Sequence, residues 1–528
     1  MRRLLLSCCL ALCFSVAIPV GSWAATGSVA INRWYVRPPG ACTFNGDGLA
    51  YGCAARAGTT GAFSGFPNII WTPITGVDNG DTLYVCGAHA TMLAPIGGGV
   101  EGLPIILRGD CPSDHGTINT VGLSNTTDAI QLLDVDWFTI RHFDRLSGNR
   151  HAILVYSTGA RRSGFVIENT TVDNRMSASA TNFCSGIAFS SRGAPAGFFS
   201  KVLITRNTIL GTNVMCAGQS NNDGINTAYM ADDLTISFND VAGAFDGIDV
   251  SGPIASKANI YGNYSHENRS SGIKIHGGTG CPTRVHVYGN LIVNSGSWGI
   301  IFQDVTGGSI SSNTIIHFHD GAQTGSPPYG ALEVEVAVHP PVVCKQFGNT
   351  YANNIFTANY NVGVASIYTD SRAVFEANNT WFGNDLYQRG SQTVLIGFMK
   401  DTGNHVTSSN FSTWQSSHAG DVTRAPAFLN AAGCTGATTT TACEASDFRL
   451  SPTSTLYRTG ISFGACLDVR GHACYPDGPG IGAYQVTGAI QPSRGWCGNE
   501  QTNDTTTCDS RGAPPLGPSG TGSDVLGR

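Results

Sequence analysis

Short segments in which apolar and polar residues alternate fill the middle of the chain. They span four to six residues and are rich in Val and Ile, as in Lys201-Val202-Leu203-Ile204-Thr205 and Ile273-Lys274-Ile275-His276. Alternation of this kind predicts strands with one buried face. Nothing with the periodicity of an amphipathic helix separates the segments, so the pattern favours an all-β protein over a βαβ fold.

Two motifs recur along these strands with a common period. The glycines of a Gly-Ile motif are 23, 25 and 27 residues apart, at Gly224, Gly247, Gly272 and Gly299. A turn asparagine recurs at spacings of 24, 27 and 23 residues, at Asn239, Asn263, Asn290 and Asn313. Two motifs with one period predict a solenoid of stacked coils, each burying its apolar residues against its neighbours. Equivalent residues in successive coils then lie about 4.8 Å apart.

The alternation also predicts which side chains face outward. Ile273 and Ile275 point into the core, so Lys274 and His276 point out. The equivalent outward positions in the two preceding coils are Asp249, Ser251, Asn226 and Ala228. The recurring asparagines are predicted to stack inside a turn as a structural ladder, bonded to one another and to the backbone.

The N-terminus has the pattern of a secretory signal peptide. Arg2 and Arg3 precede an apolar run from Leu4 to Val20, and Ser22-Trp23-Ala24 forms a small-x-small cleavage site. We therefore expect export, to the extracellular space or the periplasm. No later apolar run is long enough to span a bilayer.

Changes in composition divide the rest of the chain. We assign 1–24 to the signal peptide, 25–79 to an N-terminal cap, 80–400 to the solenoid, 401–490 to C-terminal coils with a covering segment, and 491–528 to a flexible tail. Longer connections interrupt the period near 170–200, 317–350 and 385–420. Insertions in a solenoid go to loops, often on the binding face.

Cysteine usage agrees with export. Three of the 17 cysteines lie in the signal peptide, and an even number in an exported chain favours disulfides over free thiols. Sequence neighbours are spatial neighbours in a solenoid, so local pairing is the simplest scheme. The predicted pairs are Cys42/Cys53, Cys86/Cys111, Cys184/Cys216, Cys281/Cys344, Cys434/Cys443, Cys466/Cys474 and Cys497/Cys508.

Composition and charge narrow the range of partners. Charged residues make up 12% of the chain, the formal net charge is −6, and the pI is about 6.1. This balance does not favour binding to nucleic acid or to an anionic membrane. A polyanionic substrate would need a local basic patch or a bound cation. We expect a monomer.

The period places several polar residues together on the outer face. One stripe contains Asp223, Asp246, Ser271 and Trp298, and the next contains Asn226, Asp249, Lys274 and Ile301. The three aspartates and Asn226 converge within about 10 Å, two strand spacings. Such an oxygen cluster suits Ca²⁺, and the amine of Lys274 beside it could act as a base. The alternative is that the aspartates only favour turns and that Asp249 and Lys274 form a surface ion pair.

Three segments resemble the right-handed parallel β-helix polysaccharide lyases, especially family nine, the pectate lyase type. They are Asn222-Asp223-Gly224-Ile225-Asn226, Phe245-Asp246-Gly247-Ile248-Asp249, and the stretch from Asn268 to Gly278 that contains Gly272-Ile273-Lys274. The resemblance implies that Asp223, Asp246 and Asp249 are calcium ligands and that Lys274 is the base. Phe245 departs from the pattern, because the family has an aspartate there.

The resemblance implies β-elimination on an acidic polysaccharide. The base removes the proton α to a sugar carboxylate, and positive charge stabilises the developing enolate. Arg269 and Arg284 are candidates for the substrate carboxylate, or else solvated loop arginines. His276 is a candidate for sugar binding or a plain surface histidine, and Trp298 either stacks on a sugar ring or caps the core.

Two other functions remain open. A β-helix glycoside hydrolase would use paired carboxylic acids, which Asp223, Asp246 and Asp249 could supply. The chain lacks the Gly-His-Gly and Arg-Ile-Lys motifs of the polygalacturonase type, and Lys274 fits a lyase better. A non-catalytic glycan-binding protein or adhesin would need none of these charges.

Overall fold

A computed structural model provides the three-dimensional structure. It describes residues 31–73, 75–124, 126–174, 184–191, 199–211, 222–252, 257–277, 281–317, 330–335, 338–339, 342–343, 346–359, 365–368, 372–389, 396–399, 405–409, 411–418, 420–430, 447–451 and 453–456. The predicted signal peptide and flexible tail lie outside these residues. No helix in the described part of the chain is long and apolar enough to cross a bilayer.

Three long sheets, parallel except for one terminal strand pair, form a right-handed parallel β-helix, as the repeat predicted. Each coil contributes one strand to sheet 1, then one to sheet 2, then one to sheet 3. Sheet 1 contains, in spatial order, Phe63–Ser64, Arg33–Arg37, Thr82–Val85, Ile105–Arg108, Phe138–Arg141, Arg162–Glu168, Phe199–Thr205, Met230–Ser237, Ala258–Tyr261, Val285–Tyr288, Ser309–Ser311, Thr350–Ala352 and Thr380–Phe382.

The other two sheets have 11 described strands each. Sheet 2 contains Ala88–His89, Thr117–Asn119, Arg145–Ser147, Thr171–Asp173, Thr208–Leu210, Asp240–Ala242, Tyr264–His266, Leu291–Val293, Thr314–His317, Ile355–Asn359 and Asp385–Arg389. Sheet 3 contains Ile130–Leu133, His151–Ser157, Cys184–Ser191, Asn222–Ala228, Ile248–Ser251, Ser271–His276, Trp298–Gln303, Gly330–Glu335, Ala365–Tyr368, Ile396–Met399 and His405–Ser409, the last pairing antiparallel.

Short elements complete the described structure. Two antiparallel pairs join Val338–His339 to Val342–Val343 and Phe428–Asn430 to Asp447–Leu450. A 3₁₀ helix spans Phe66–Asn68, and α-helices span Arg372–Asn378 and Phe411–Gln415. The strand Arg33–Arg37 pairs in parallel with Thr82–Val85, so sheet 1 already begins within the range assigned to the cap.

The predicted asparagine ladder is confirmed and sets the register of the coils. Asn263 donates both its backbone N–H and its Nδ2 to Oδ1 of Asn290, each at 3.0 Å, and it accepts the same pair of bonds from Asn239. The complete run is Asn207, Asn239, Asn263, Asn290, Asn313, Asn354 and Asn384. Each asparagine lies in a two-residue turn between sheets 1 and 2, whose first residue adopts a left-handed conformation, as at Gly262 (φ 66°) and Gly289 (φ 62°).

The Gly-Ile motif recurs because the corner between sheets 2 and 3 has no room for a side chain. A Cβ on Gly247 would lie 2.2 Å from Oγ of Ser265 and 2.6 Å from the carbonyl oxygen of Gly272. The isoleucine that follows each glycine fills the core, as shown by the full burial of Ile248 and Ile273. The motif therefore repeats a steric requirement once in each coil.

The described disulfides agree with local pairing. Cys42–Cys53 and Cys86–Cys111 form as predicted. Cys184 and Cys281 are also disulfide-bonded, but their predicted partners lie outside the described residues. The three remaining predicted pairs lie wholly outside them.

Candidate functional site

The outer face of sheet 3 is bordered by the most variable connections. The turn from sheet 1 to sheet 2 keeps two residues in successive coils, as at Phe238-Asn239 and Gly262-Asn263. Connections at the edges of sheet 3 differ widely in length, from the single residue Tyr229 to the ranges 211–221 and 318–329. Because surface loops tolerate insertions and carry function, this face is the natural location for a binding site.

Strand register brings the candidate residues together here. Asp249 lies between Asn226 and Lys274 on adjacent strands, as the repeat predicted. Ile273 and Ile275 are fully buried, whereas the side chains of Lys274 and His276 are 27% and 24% exposed. The amine of Lys274 therefore projects from a rigid strand beside the aspartates.

Three buried carboxylates converge beside Lys274. Asp223, Asp246 and Asp249 each offer an oxygen atom, and these atoms all lie within 4.8 Å of one another. The residues are only 1%, 1% and 5% exposed. Burying like charges this closely is unfavourable unless protons or cations compensate them.

Asp246 is held by the next coil. Its Oδ1 accepts hydrogen bonds from the backbone N–H of Ser271 at 2.9 Å and from Oγ of Ser271 at 2.5 Å. Its Oδ2 lies 3.4 Å from Nζ of Lys274. These three contacts fix the orientation of the carboxylate.

Asp223 and Asp249 have fewer partners. Asn226 donates from Nδ2 to Oδ2 of Asp223 at 2.7 Å, while Oδ1 of Asp223 is buried without a hydrogen-bond partner. Nε2 of His276 lies 3.1 Å from Oδ1 of Asp249, a short contact that is not aligned as a hydrogen bond. A buried acceptor with no donor indicates that a cation or a proton belongs at this position.

The pKa values reflect crowding of negative charge. Burial, and then the charges of Asp249 and Asp246, raise the pKa of Asp223 well above its ordinary value. Burial also acts to raise the pKa of Asp249, but His276 and Lys274 lower it overall. Burial acts to lower the pKa of Lys274, but the negative charges of Asp246, Asp249 and Asp223 have a larger effect and raise the pKa overall. Without a cation the amine therefore stays protonated.

The donor set fits a hard divalent cation. Three carboxylates surround the position, and Oδ1 of Asp223 accepts no hydrogen bond and could coordinate a cation. Phe245 contributes no side-chain oxygen and is half-buried, with its backbone N–H donating to the carbonyl of Asn222. Asn226 orients Asp223 through its amide N–H.

The remaining predicted residues occupy different surroundings. Arg269 is exposed in the connection from sheet 2 to the Lys274 strand, and Arg284 is exposed just before the next sheet 1 strand, with φ 54°. Arg269 thus lies beside sheet 3, whereas Arg284 lies at the start of a sheet 1 strand. Trp298 pairs with Ser271 in register and is only 3% exposed, so its ring offers little surface.

Two residues on this face of sheet 3 were assigned no role from the sequence. Ser271 precedes its Gly-Ile motif just as Asp246 precedes the previous one. Its hydroxyl could have indicated a hydrogen bond to the Asp246 carboxylate, which the structure contains. Glu333 follows Ile301 on the Lys274 stripe and is 8% exposed. The connection 318–329 breaks the period between them, which concealed the relationship.

One comparison with known proteins supports the fold. The profile of the family described as "right handed beta helix region" matches residues 128–316. No curated protein sequence matches the chain. Among solved structures, pectate lyase Pel9A aligns with 12% identity over 87% of this chain and 98% of its own, with a TM-score of 0.39.

Two further solved structures show similar levels of likeness. The Dettilon tailspike protein gp208 aligns with 16% identity over 58% of this chain and 60% of its own, with a TM-score of 0.37. The GH136 lacto-N-biosidase from Eubacterium ramulus aligns with 10% identity over 70% of this chain and 67% of its own, with a TM-score of 0.33. Likeness at this level carries no conclusion about this protein.

Proposed function

We propose that the protein is an exported polysaccharide lyase that cleaves a uronate-containing polymer by calcium-assisted β-elimination. The observation that carries the proposal is the placement of Nζ of Lys274 3.4 Å from one of three convergent buried carboxylates. This arrangement lies on an outer sheet face bordered by variable loops. The disulfides Cys42–Cys53 and Cys86–Cys111 support export, because such bonds persist in oxidising compartments.

Asp223, Asp246 and Asp249 would hold calcium, with Asn226 supporting Asp223. Ca²⁺ takes six to eight oxygen ligands, so three carboxylates leave positions for water and for a substrate carboxylate. Bound calcium would supply positive charge to the developing enolate. Arg269 and Arg284, both exposed, would contribute further positive charge to the substrate carboxylate.

Lys274 would act as the base. With a cation compensating the three carboxylates, the amine would be neutral and would take the proton on the carbon α to the sugar carboxylate. The C–H electrons would form a carbon–carbon double bond, and the glycosidic oxygen would leave with its bonding electrons. The strand fixes the Cα of Lys274 because both neighbouring isoleucines are buried. His276, two residues along the same face, would contact the sugar next to the cleaved bond.

A glycoside hydrolase is the second candidate, because carboxylates that lie close together could act as a catalytic pair. Retaining glycosidases separate their two carboxyl groups by about 5 Å. The aspartate oxygen atoms here lie within 4.8 Å of one another. Hydrolysis yields saturated products, whereas elimination yields an unsaturated sugar that absorbs ultraviolet light.

One assay separates these functions. The purified protein is incubated with a panel of uronate-containing polymers, with calcium and with a chelator. Calcium-dependent absorbance of the unsaturated product is the expected result. Saturated fragments would establish the hydrolase instead, and binding without cleavage would establish a glycan-binding protein.

A further inference from the structure

The strands that form the site lie in a part of the chain with little positive charge. Residues 207–344 contain eleven Asp and Glu but four Lys and Arg, a formal charge of −7. The four basic residues are Lys257, Arg269, Lys274 and Arg284. They lie within residues 257–284, the coil of the proposed base, whereas Lys201 and Arg206 belong to the sheet 1 strand and the following turn of the Asp223 coil.

Basic residues are also scarce on the outer face of sheet 3. From Ile130 to Glu335 the sheet 3 strands contain no Lys or Arg other than Lys274. On the N-terminal side of the aspartates the outward positions are neutral, including Ala188, Ser190 and Tyr156. On the C-terminal side Ile301 is followed by the carboxylate of Glu333.

Two basic residues of the preceding coils have carboxylate partners. Arg150 pairs with Asp128, which is fully buried. Arg162 lies 3.0 Å from Asp136 and 3.3 Å from Asp134. These guanidinium groups therefore neutralise the protein's own carboxylates and add little attraction for a polyanion.

We infer that the substrate carries its carboxylates sparsely, with neutral sugars flanking the uronate that is cleaved. This inference rests on the proposed function. We place a long glycan along the solenoid axis, so that it crosses successive strands of sheet 3. A homopolyuronate would then place uncompensated carboxylates over the neighbouring coils, one of them towards Glu333. Glu333 lies two strand spacings, about 10 Å, from Lys274, a separation close to the screening length of about 8 Å in physiological salt.

The first test measures binding without turnover. The Lys274→Ala protein is titrated by calorimetry, with calcium, against oligosaccharides of equal length. One set is oligogalacturonate, and the other alternates a uronate with a neutral sugar, as in hyaluronan and in galacturonate–rhamnose oligomers. An alternating ligand should bind about tenfold more tightly than oligogalacturonate at low salt, the size expected for like charges at this separation. Equal or tighter binding of oligogalacturonate would overturn the inference.

The second test uses a variant of the wild-type enzyme. Glu333→Gln removes one negative charge with little change in shape. It should raise kcat/KM on homopolyuronate about threefold to tenfold, and kcat/KM on the alternating polymer should change by less than about twofold. Glu101→Gln is the matched control, because Glu101 is 71% exposed and pairs with Lys201 away from sheet 3. Equal effects of Glu333→Gln on both polymers would contradict the inference.

The two tests separate this inference from the proposed function. If no polymer yields unsaturated product, the lyase proposal fails, while the binding comparison still decides the charge preference. If homopolyuronate is the better eliminated substrate, the lyase proposal stands and the inference fails. Binding of neither class would overturn both.

Discussion

Nζ of Lys274 lies 3.4 Å from Oδ2 of Asp246, although the two residues belong to successive coils and are 28 positions apart. The contact joins a partly exposed amine to a carboxylate that is 98% buried at its side chain. It exists because the coil register sets the Lys274 strand against the Asp249 strand. The relationship ties the proposed base to the proposed cation site.

Replacing Lys274 should abolish elimination without unfolding the protein. General-base contributions are about a hundred- to ten-thousand-fold in rate, so Lys274→Ala should lose at least that much activity. Lys274→Arg should lose as much while preserving the charge beside Asp246, since a guanidinium stays protonated. The readouts are the rate of unsaturated product formation and the thermal unfolding midpoint. Lys257→Ala, outside sheet 3, is the control, and retention of most turnover by Lys274→Arg would refute the base.

Removing one aspartate should weaken calcium binding. Asp246→Ala and Asp223→Asn each delete a charge from the oxygen cluster, so calorimetric affinity for Ca²⁺ should fall at least about tenfold. Asp240→Asn is the matched control, because Asp240 bonds to His266 on sheet 2, away from the cluster. Equal affinities in wild type and Asp246→Ala, or no calcium binding by either protein, would remove the metal from the mechanism.

Interrupting the asparagine ladder should destabilise the solenoid. Asn263→Ala removes hydrogen bonds to Asn290 and to the carbonyl of Ile236, and it leaves the backbone N–H of Asn239 without its acceptor. A buried unsatisfied group costs about 1–3 kcal/mol, so the free energy of unfolding should fall by about 3 kcal/mol or more. Asn259→Ala, on the outer face of sheet 1 in the same coil, should cost far less. Denaturant unfolding that ranks the two variants equally would argue against the ladder's role.

Stability should depend on pH through Asp385 near the C-terminal end of the described sheets. This residue is fully buried, its Oδ2 has no hydrogen-bond partner, and burial raises its pKa from 3.8 to about 8. The folded state therefore favours the protonated acid, and stability falls as the pH rises from about 4 to about 8. Asp385→Asn keeps an acceptor for the N–H of Arg424 and removes the charge.

The Asp385→Asn variant should gain thermal stability over wild type at pH 8 and little at pH 4. Unfolding midpoints across this range measure the gain, with Asp47→Asn in the N-terminal region as the control. A difference between variant and wild type that is constant across the range would show that Asp385 does not titrate as the burial indicates.

The coil period and the identity of the inward residues followed from the sequence, because each coil repeats the same local requirements. A turn asparagine must bond to the next one, and a glycine must fit where a Cβ on Gly247 would overlap Ser265. These constraints act between adjacent coils and so appear as a spacing. The same spacing predicts that Asp249 lies beside Lys274, and the strand register confirms it.

Only the tertiary structure determined the burial and the hydrogen-bond partners of the outward residues and the extent of the ladder. The ladder continues through Asn354 and Asn384 across insertions that obscure the period, and it ends where Asp421 accepts from Asn384 and from the indoles of Trp381 and Trp414. Rotamers and loop packing bury Trp298, leave Oδ1 of Asp223 without a donor and set Ser271 against Asp246. The repeat spacing determines where the Cα atoms lie. The burial and hydrogen bonding of a side chain depend also on the side chains that neighbouring coils pack against it.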